Sequence, residues 1–391
     1  MDFRFRPEDE SFRQEVRTFL KKELPPGWRG TRGEIQPEDF EIDRTMRQKL
    51  AKKGWLALAW PKEYGGAGAD VLRQTVMSEE MAYHRAPGRD GQGIGLIGPC
   101  IMVHGRDDQK KDHLGRIARG EVIWCQGFSE PGSGSDLASL QTKAVRDGDD
   151  WVINGSKIWT TYGHLADWMH ILTRTDPEVP KHKGISYFLL DMKTPGIEIR
   201  PLINISNSHG FNQVFFTNVR VPARNMLGET NRGWYVATTT LDFERSMAGQ
   251  SASVRRTLEE VIEYLRGIKG PDGRSPLQEP RIRHKLAELV IAGGVARGLA
   301  YRVAWMQHNK QIPNMEASLG KLYASELTQK VARTLMDVLG MYAQIEWSDK
   351  RAPIDGRIEF SYLNTISMTI AAGTSEIQRN IIATRGLGLP R

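Results

Sequence analysis

Residues 124–168, WCQGFSEPGSGSDLASLQTKAVRDGDDWVINGSKIWTTYGHLADW, decide the fold class. Short runs rich in Val, Ile and Trp, cut by the DGDD and NG turn signals, have the period of paired strands rather than of a helix. The same texture continues in ADWMHILTRT, ISYFLLDM, IEIRPL and QVFFTNVRV. The sequence therefore predicts an antiparallel β domain over residues 122–231.

On the N-terminal side the period changes to that of helices. PEDESFRQEVRTFLKKEL has an acidic first turn, Phe12, Val16, Phe19 and Leu20 at helical spacing, and basic residues at its end, in agreement with the helix dipole. FEIDRTMRQKLAKKGW and VLRQTVMSEEMAYHR repeat the pattern around the Gly- and Pro-broken loop PKEYGGAGAD. On the C-terminal side three long amphipathic runs return, beginning at TTLDFERSMAGQ, EPRIRHKLAEL and EASLGKLYASE, with a loop at GIKGPDGRSPLQEP. The expected architecture is α+β: an N-terminal α-helical domain (1–121), the middle β domain (122–231) and a C-terminal long-helix bundle (232–391).

Composition excludes several function classes. No apolar run approaches the roughly 18 residues of a membrane span, and the N-terminus mixes acids and bases without the apolar core of a signal peptide, so a cytoplasmic location is the expectation. Two cysteines, Cys100 and Cys125, are too few for a disulfide framework or a four-ligand zinc site, which leaves them as reduced structural thiols. The net charge of +7 comes from Lys and Arg interleaved with Asp and Glu, which suits a polyphosphate cofactor or a thioester carrier better than nucleic acid.

Two glycine-rich segments invite a nucleotide-binding reading. GIGLIG, with Gly93, Gly95 and Gly98, matches the bare dinucleotide fingerprint, but it follows the polar RAPGRDGQ inside a helical region instead of a strand, so a flexible loop between helices is expected. SEPGSGSD, residues 129–136, carries more information. Its hydroxyls and glycines around a turn can offer N–H groups and Ser side chains to a flavin or phosphate.

The 124–168 stretch resembles the middle-domain signature of the acyl-CoA dehydrogenases. The resemblance extends to GWLALAWPKEYGG (54–66), VFFTNVRVPARNMLGETNRGW (214–234) and GTSEIQRNIIATRGLGLP (373–390), in the family's order and spacing. It implies FAD bound at a subunit interface and oxidation of an acyl-CoA to the trans-2-enoyl thioester. By the same resemblance Phe128 and Ser129 lie along the flavin edge, Ser135 lies near the cofactor phosphates and the pantetheine arm, and Trp159 and Thr161 lie against the isoalloxazine ring. Thr374 and Glu376 approach the FAD ribose and pyrophosphate.

The reaction needs a carboxylate to remove the α-proton, and Ala372 in TIAAGTSEIQRNII (369–382) stands where many members of the family carry their glutamate. Alanine keeps the backbone N–H that, in the family, binds the thioester carbonyl, so Ala372 is the expected oxyanion donor. LDFERSMAG (241–249) resembles the branched-chain and long-chain variant, whose base lies on the helix after the β domain. Glu244 falls at that base position, and Leu241, Asp242 and Arg245 fall at positions for the CoA part of the substrate. Glu376 follows Thr374 at a predicted helix start, where a hydroxyl cap and an early acid are expected on structural grounds, and it is not assigned as base.

One departure bears on assembly. The family's R-x-x-F-G segment, whose Arg reaches a neighbouring subunit's FAD, is replaced by KGPDGRSPLQEPRIRHKLAEL, where Arg274 is a candidate substitute, and a following glycine-rich motif is degraded to DVLGMYAQIEW. These changes resemble heteromeric family members, so the expected partners are an acyl-CoA substrate, an electron-transfer flavoprotein, and a homo- or hetero-oligomer (a dimer of dimers) sharing FAD. The rival readings are a non-catalytic subunit completing its partner's FAD site, against which Glu244 argues, and an oxygen-using flavin oxidase on the same fold.

Overall fold

A computed structural model of the 391-residue chain describes residues 5–31, 37–243, 248–270 and 273–390. Its helices are α1 (Pro7–Glu23), α2 (Pro37–Lys52), α3 (Val71–Tyr83), α4 (Gly98–His104), α5 (Asp107–Ala118), α6 (Gly233–Phe243), α7 (Ala248–Gly267), α8 (Pro280–His308), α9 (Asn314–Leu339), α10 (Arg357–Asn364) and α11 (Ser375–Ile381). The strands are β1 (Trp124–Gly127), β2 (Lys143–Asp147), β3 (Asp150–Lys157), β4 (Trp168–Arg174), β5 (Ile185–Asp191), β6 (Ile197–Leu202) and β7 (Phe211–Pro222). The described residues pack as two compact bodies: one drawn from Glu34–Gly68 and Gly88–Glu244, the other from Met1–Gly33, Ala69–Pro87 and Arg245–Arg391.

The first body holds a seven-stranded sheet in the order β1-β4-β2-β3-β7-β6, with β5 paired to β4. The hairpins are antiparallel as the turn signals require, with Asp147 opposite Asp150 at the first turn. Two pairings differ from the expected antiparallel pattern: β1 runs parallel to β4, Trp124 opposite Trp168, and a single parallel pair joins Lys143 of β2 to Arg174 of β4. Parallel pairing joins segments distant in sequence, so no local turn signal announces it.

Strands β4 and β5 are buried on both faces, which explains their nearly continuous apolar sequence. Alternate residues enter different cores. Met169, Ile171, Phe188 and Leu190 pack with Val214 and Phe216, whereas Leu172, Tyr187 and Leu189 pack with Trp124 and with Ile101, Leu114 and Val236 from α4, α5 and α6. Cys100 and Cys125 are buried within these cores and form no disulfide, and burial pushes the Cys125 thiol well above its ordinary value.

GIGLIG is not a flexible loop. Gly93–Ile97 form a π-helical turn that runs directly into α4. A Cβ on Gly98 would lie 2.0 Å from the Trp60 ring, and one on Gly93 would lie 2.3 Å from the Asp90 carboxylate, which accepts a hydrogen bond from the Gly93 N–H at 2.7 Å. These glycines admit a close-packed tryptophan and a carboxylate cap.

In the second body, α7, α8 and α9 bury Val254, Leu258, Val261 and Leu265 against Leu286, Leu289, Leu327, Val331 and Leu335. The α7 residues recur at i, i+4, i+7 and i+11, the stripe of an amphipathic helix. Helices α1 and α3 are joined by charge: Arg13 donates to Glu79 at 3.0 Å and to Glu80 at 2.9 Å, with all three side chains nearly inaccessible. No helix among the described residues is long and apolar enough to cross a membrane.

Candidate active site

The loop after β1 and the end of β3 converge on Trp159. This residue has φ +60°, a left-handed backbone that costs an aromatic side chain on the order of 1 kcal/mol, and its indole is 58 % exposed. Its neighbours are pinned on both sides. The Ile158 N–H donates to the Ser129 carbonyl at 2.9 Å, while Thr160 and Asn212 exchange backbone bonds of 3.0 and 3.1 Å and the Asn212 amide donates again to the Thr160 carbonyl at 3.0 Å. An open apolar ring held at a backbone cost is what a planar ligand needs as a wall.

Phe128 is buried beneath this loop, edge-on to His170 and Tyr187. Ser129 and Thr161 are half-buried, and Ser135 lies exposed beyond the Glu130–Ser133 turn, in which the two residues exchange backbone bonds of 2.9 and 3.0 Å. The structure thus gathers Phe128, Ser129, Trp159 and Thr161 around one feature. Ser133 Oγ and Thr160 Oγ1 are buried with no hydrogen-bond partner among the described residues. Those two hydroxyls are sealed from solvent, whereas the partly exposed Ser129 and Thr161 stand beside the open indole, and that set of hydroxyls and ring fits a flavin.

Sequence reasoning passed over Glu130 and Lys157. Lys157 is fully buried, Glu130 nearly so, and their charged groups meet at 2.8 Å. Lys157 lies beyond the exposed Gly155 and a register shift after Ile153, so simple alternation along β3 does not announce its burial.

In the helical body, Thr374 caps α11, its hydroxyl accepting the Ile377 N–H at 3.2 Å. Glu376 occupies the first turn, and bonds from its own backbone N–H and the Thr374 hydroxyl hold its carboxyl below the ordinary value. Both residues line a groove of about 650 Å³ with Lys330, Arg333 and Arg379 and with Glu326, which pairs with Arg379 at 2.6 Å. Ala372, just before the cap, has φ +54°, followed by Gly373 at +86°. This turn is clamped by Lys321 Nζ, which donates to the Gly373 and Met368 carbonyls at 2.7 and 3.2 Å, and by Gln378, which donates to the Ala372 carbonyl at 3.1 Å.

Alanine is strained in this conformation where glycine is not, so Ala372→Gly is expected to raise stability by about 0.5 kcal/mol, after allowing for the greater unfolded-state entropy of glycine. Urea denaturation of the two proteins checks this. A clear loss of stability would show that the turn does not have this backbone.

Arg274 is exposed and its carbonyl accepts the Gly270 N–H at 2.8 Å. Leu241 and Asp242 lie on the helical backbone of α6, whereas Glu244 and Arg245 lie outside the described residues.

The chain thus combines an α-helical N-terminal segment, a central sheet and a long-helix bundle, with a wall on the sheet that fits a flavin. The family models of the acyl-CoA dehydrogenase N-terminal, middle and C-terminal domains match residues 6–121, 125–219 and 231–387. Acyl-CoA dehydrogenase FadE26 of Mycobacterium tuberculosis is 34% identical over 100% of this chain and 99% of its own length. The long-chain specific mitochondrial acyl-CoA dehydrogenase of Sus scrofa is 31% identical over 97% of this chain and 86% of its own. Among solved structures, the Tcur3481-Tcur3483 steroid ACAD matches with a TM-score of 0.91 and 34% identity, covering 100% of both chains. The ChsE4-ChsE5 complex from Mycobacterium tuberculosis matches with a TM-score of 0.89 and 33% identity, also over 100% of both. The chain belongs to the acyl-CoA dehydrogenase family, whose members are oxidoreductases that use FAD.

Proposed function

We propose that this chain removes the α-proton of an acyl-CoA thioester with Glu244 while a hydride leaves the β-carbon, giving the trans-2-enoyl-CoA. Bound FAD supplies the hydride acceptor and passes the electrons to an electron-transfer flavoprotein. The observation that carries this reading is the exposed, backbone-strained Trp159 beside the Phe128–Ser135 loop. An aromatic wall there excludes water from the hydride path. The Ala372 N–H donates to the thioester carbonyl oxygen as it gains enolate character, and such a donor contributes more in the transition state than in the ground state.

Ser135, Leu241, Asp242 and Arg245 are the proposed CoA contacts. Thr374, Glu376 and Arg274 are the proposed contacts of the adenosine end of FAD. Two of the similar structures are named as pairs of chains, and with the altered segment around Arg274 they support a hetero-oligomer in which FAD is shared. The name of the first makes a ring-bearing acyl-CoA the first substrate class to assay, with long-chain acyl-CoA the second. A cytoplasmic location completes the proposal.

If FAD is held across a subunit interface, its retention depends on assembly. The yellow flavin spectrum is expected to co-elute with oligomer and to be lost on dissociation, measured as FAD occupancy against molecular mass. A fully loaded monomer would contradict the shared site.

A further inference from the structure

A lysine with no accessible surface is costly to bury, and an ion pair offsets this cost only when its geometry is complete. Here it is complete. Glu130 accepts the Gln141 and Thr142 N–H groups at 2.6 and 2.9 Å and the Lys157 ammonium at 2.8 Å, and Lys157 Nζ also donates to the Phe128 carbonyl at 3.0 Å. The four contacts join the loop after β1, the entry to β2 and the end of β3. They lie two residues before Trp159.

We propose that the buried Lys157–Glu130 pair is a positioning device for the flavin, fixing the Phe128–Ser129 peptide so that its N–H faces the cofactor edge. The inference rests on the reading of residues 128–161 as the flavin side of the site. In a trans peptide the C=O and N–H point in opposite directions, so drawing the Phe128 oxygen onto Lys157 turns the Ser129 N–H the other way. The Ser129 carbonyl, in the next peptide unit, is fixed in turn by the Ile158 N–H at 2.9 Å, so the backbone is held on both sides of the Ser129 Cα. A cation on the Phe128 oxygen also polarises that peptide unit and makes its N–H a stronger donor. Such a donor favours negative charge on a reduced flavin. A purely structural pair would brace the sheet without affecting the cofactor.

The test uses the FAD-retaining oligomer and reads FAD affinity and the midpoint potential of the bound flavin. Lys157→Met in a Glu130→Gln background removes both charges without stranding either. The FAD dissociation constant is expected to rise at least about tenfold and the flavin potential to fall, at a thermal midpoint close to wild type. Lys157→Gln in the same Glu130→Gln background keeps a neutral donor for the Phe128 carbonyl and strands no charge, so FAD should stay bound while the potential still falls. It provides the readout should the Lys157→Met form not fold. Wild-type affinity and potential in a folded variant would overturn the inference and leave the dehydrogenase reading intact. A wild-type oligomer that takes no FAD would overturn both.

Discussion

Glu244→Gln is expected to leave FAD and acyl-CoA binding intact while slowing flavin reduction by at least about 100-fold, the usual cost of losing a general base. Glutamine keeps the volume and most of the hydrogen bonding but cannot accept the proton. Glu376→Gln should have a different effect. Glu376 sits in the first turn of a capped helix and lines the groove that holds Lys330 and Arg333, so its loss should weaken FAD retention more than it slows the molecules that remain loaded. In a Glu244→Ala background, Ala372→Glu would restore turnover if the left-handed turn at Ala372 presents a side chain as it does in relatives with their base there. Stopped-flow reduction of Glu244→Gln at the wild-type rate would remove Glu244 from the mechanism and favour the non-catalytic subunit.

The largest effect on stability is expected from Arg13→Met. Removing the guanidinium leaves Glu79 and Glu80 buried, with Glu79 still bound by Tyr301 at 2.7 Å and Arg297 at 3.2 Å, and Glu80 by Arg17 at 2.9 Å. Breaking a buried pair so that a charge is left unpaired costs about 3–5 kcal/mol, and because these partners remain the loss here is expected at about 2–3 kcal/mol. The same network sets an acid dependence. Burial alone pushes the Glu80 carboxyl up, but bonds from His84, Arg17 and Arg13 outweigh it and hold the group down at about 2, below its ordinary 4.5. A carboxyl depressed in the folded state stabilises above its unfolded pKa and loses that contribution as pH falls through the folded value. Wild-type stability should therefore decline from about pH 4.5 towards pH 2, and Arg13→Met should flatten that decline. Urea midpoints measured across this range check both statements, and a variant with wild-type stability and the same acid slope would contradict them.

The helices were legible because their signal is local. Phe12, Val16 and Leu20 recur on one face and are buried there, and the DGDD turn sets its hairpin register without help from elsewhere. The π turn at Gly93–Ile97 was not legible, because it depends on Trp60 packing onto Gly98 from a segment more than thirty residues away. The parallel pairing of β1 with β4 has the same non-local origin.

At the candidate site, the residues that would touch flavin were legible through their motif, and the residues beneath them were not. Trp159 and Ser129 stand in a quotable signature. Lys157, Glu130, Lys321 and Gln378 act through backbone carbonyls and amides, and a pattern of side-chain types does not reveal which peptide a distant ammonium or amide will hold. The structure shows the strain at Trp159 and Ala372 directly, in two non-glycine residues with left-handed backbones.

The central claim, that this chain oxidises an acyl-CoA at its own flavin, is tested most directly by anaerobic addition of ring-bearing and long-chain acyl-CoA thioesters to the FAD-loaded oligomer. One class is expected to bleach the main visible flavin band in a single turnover, while the Glu244→Gln oligomer, equally loaded, keeps its colour over the same time. An oligomer that carries FAD and stays oxidised with every thioester, or one whose Glu244→Gln form bleaches just as fast, would contradict it.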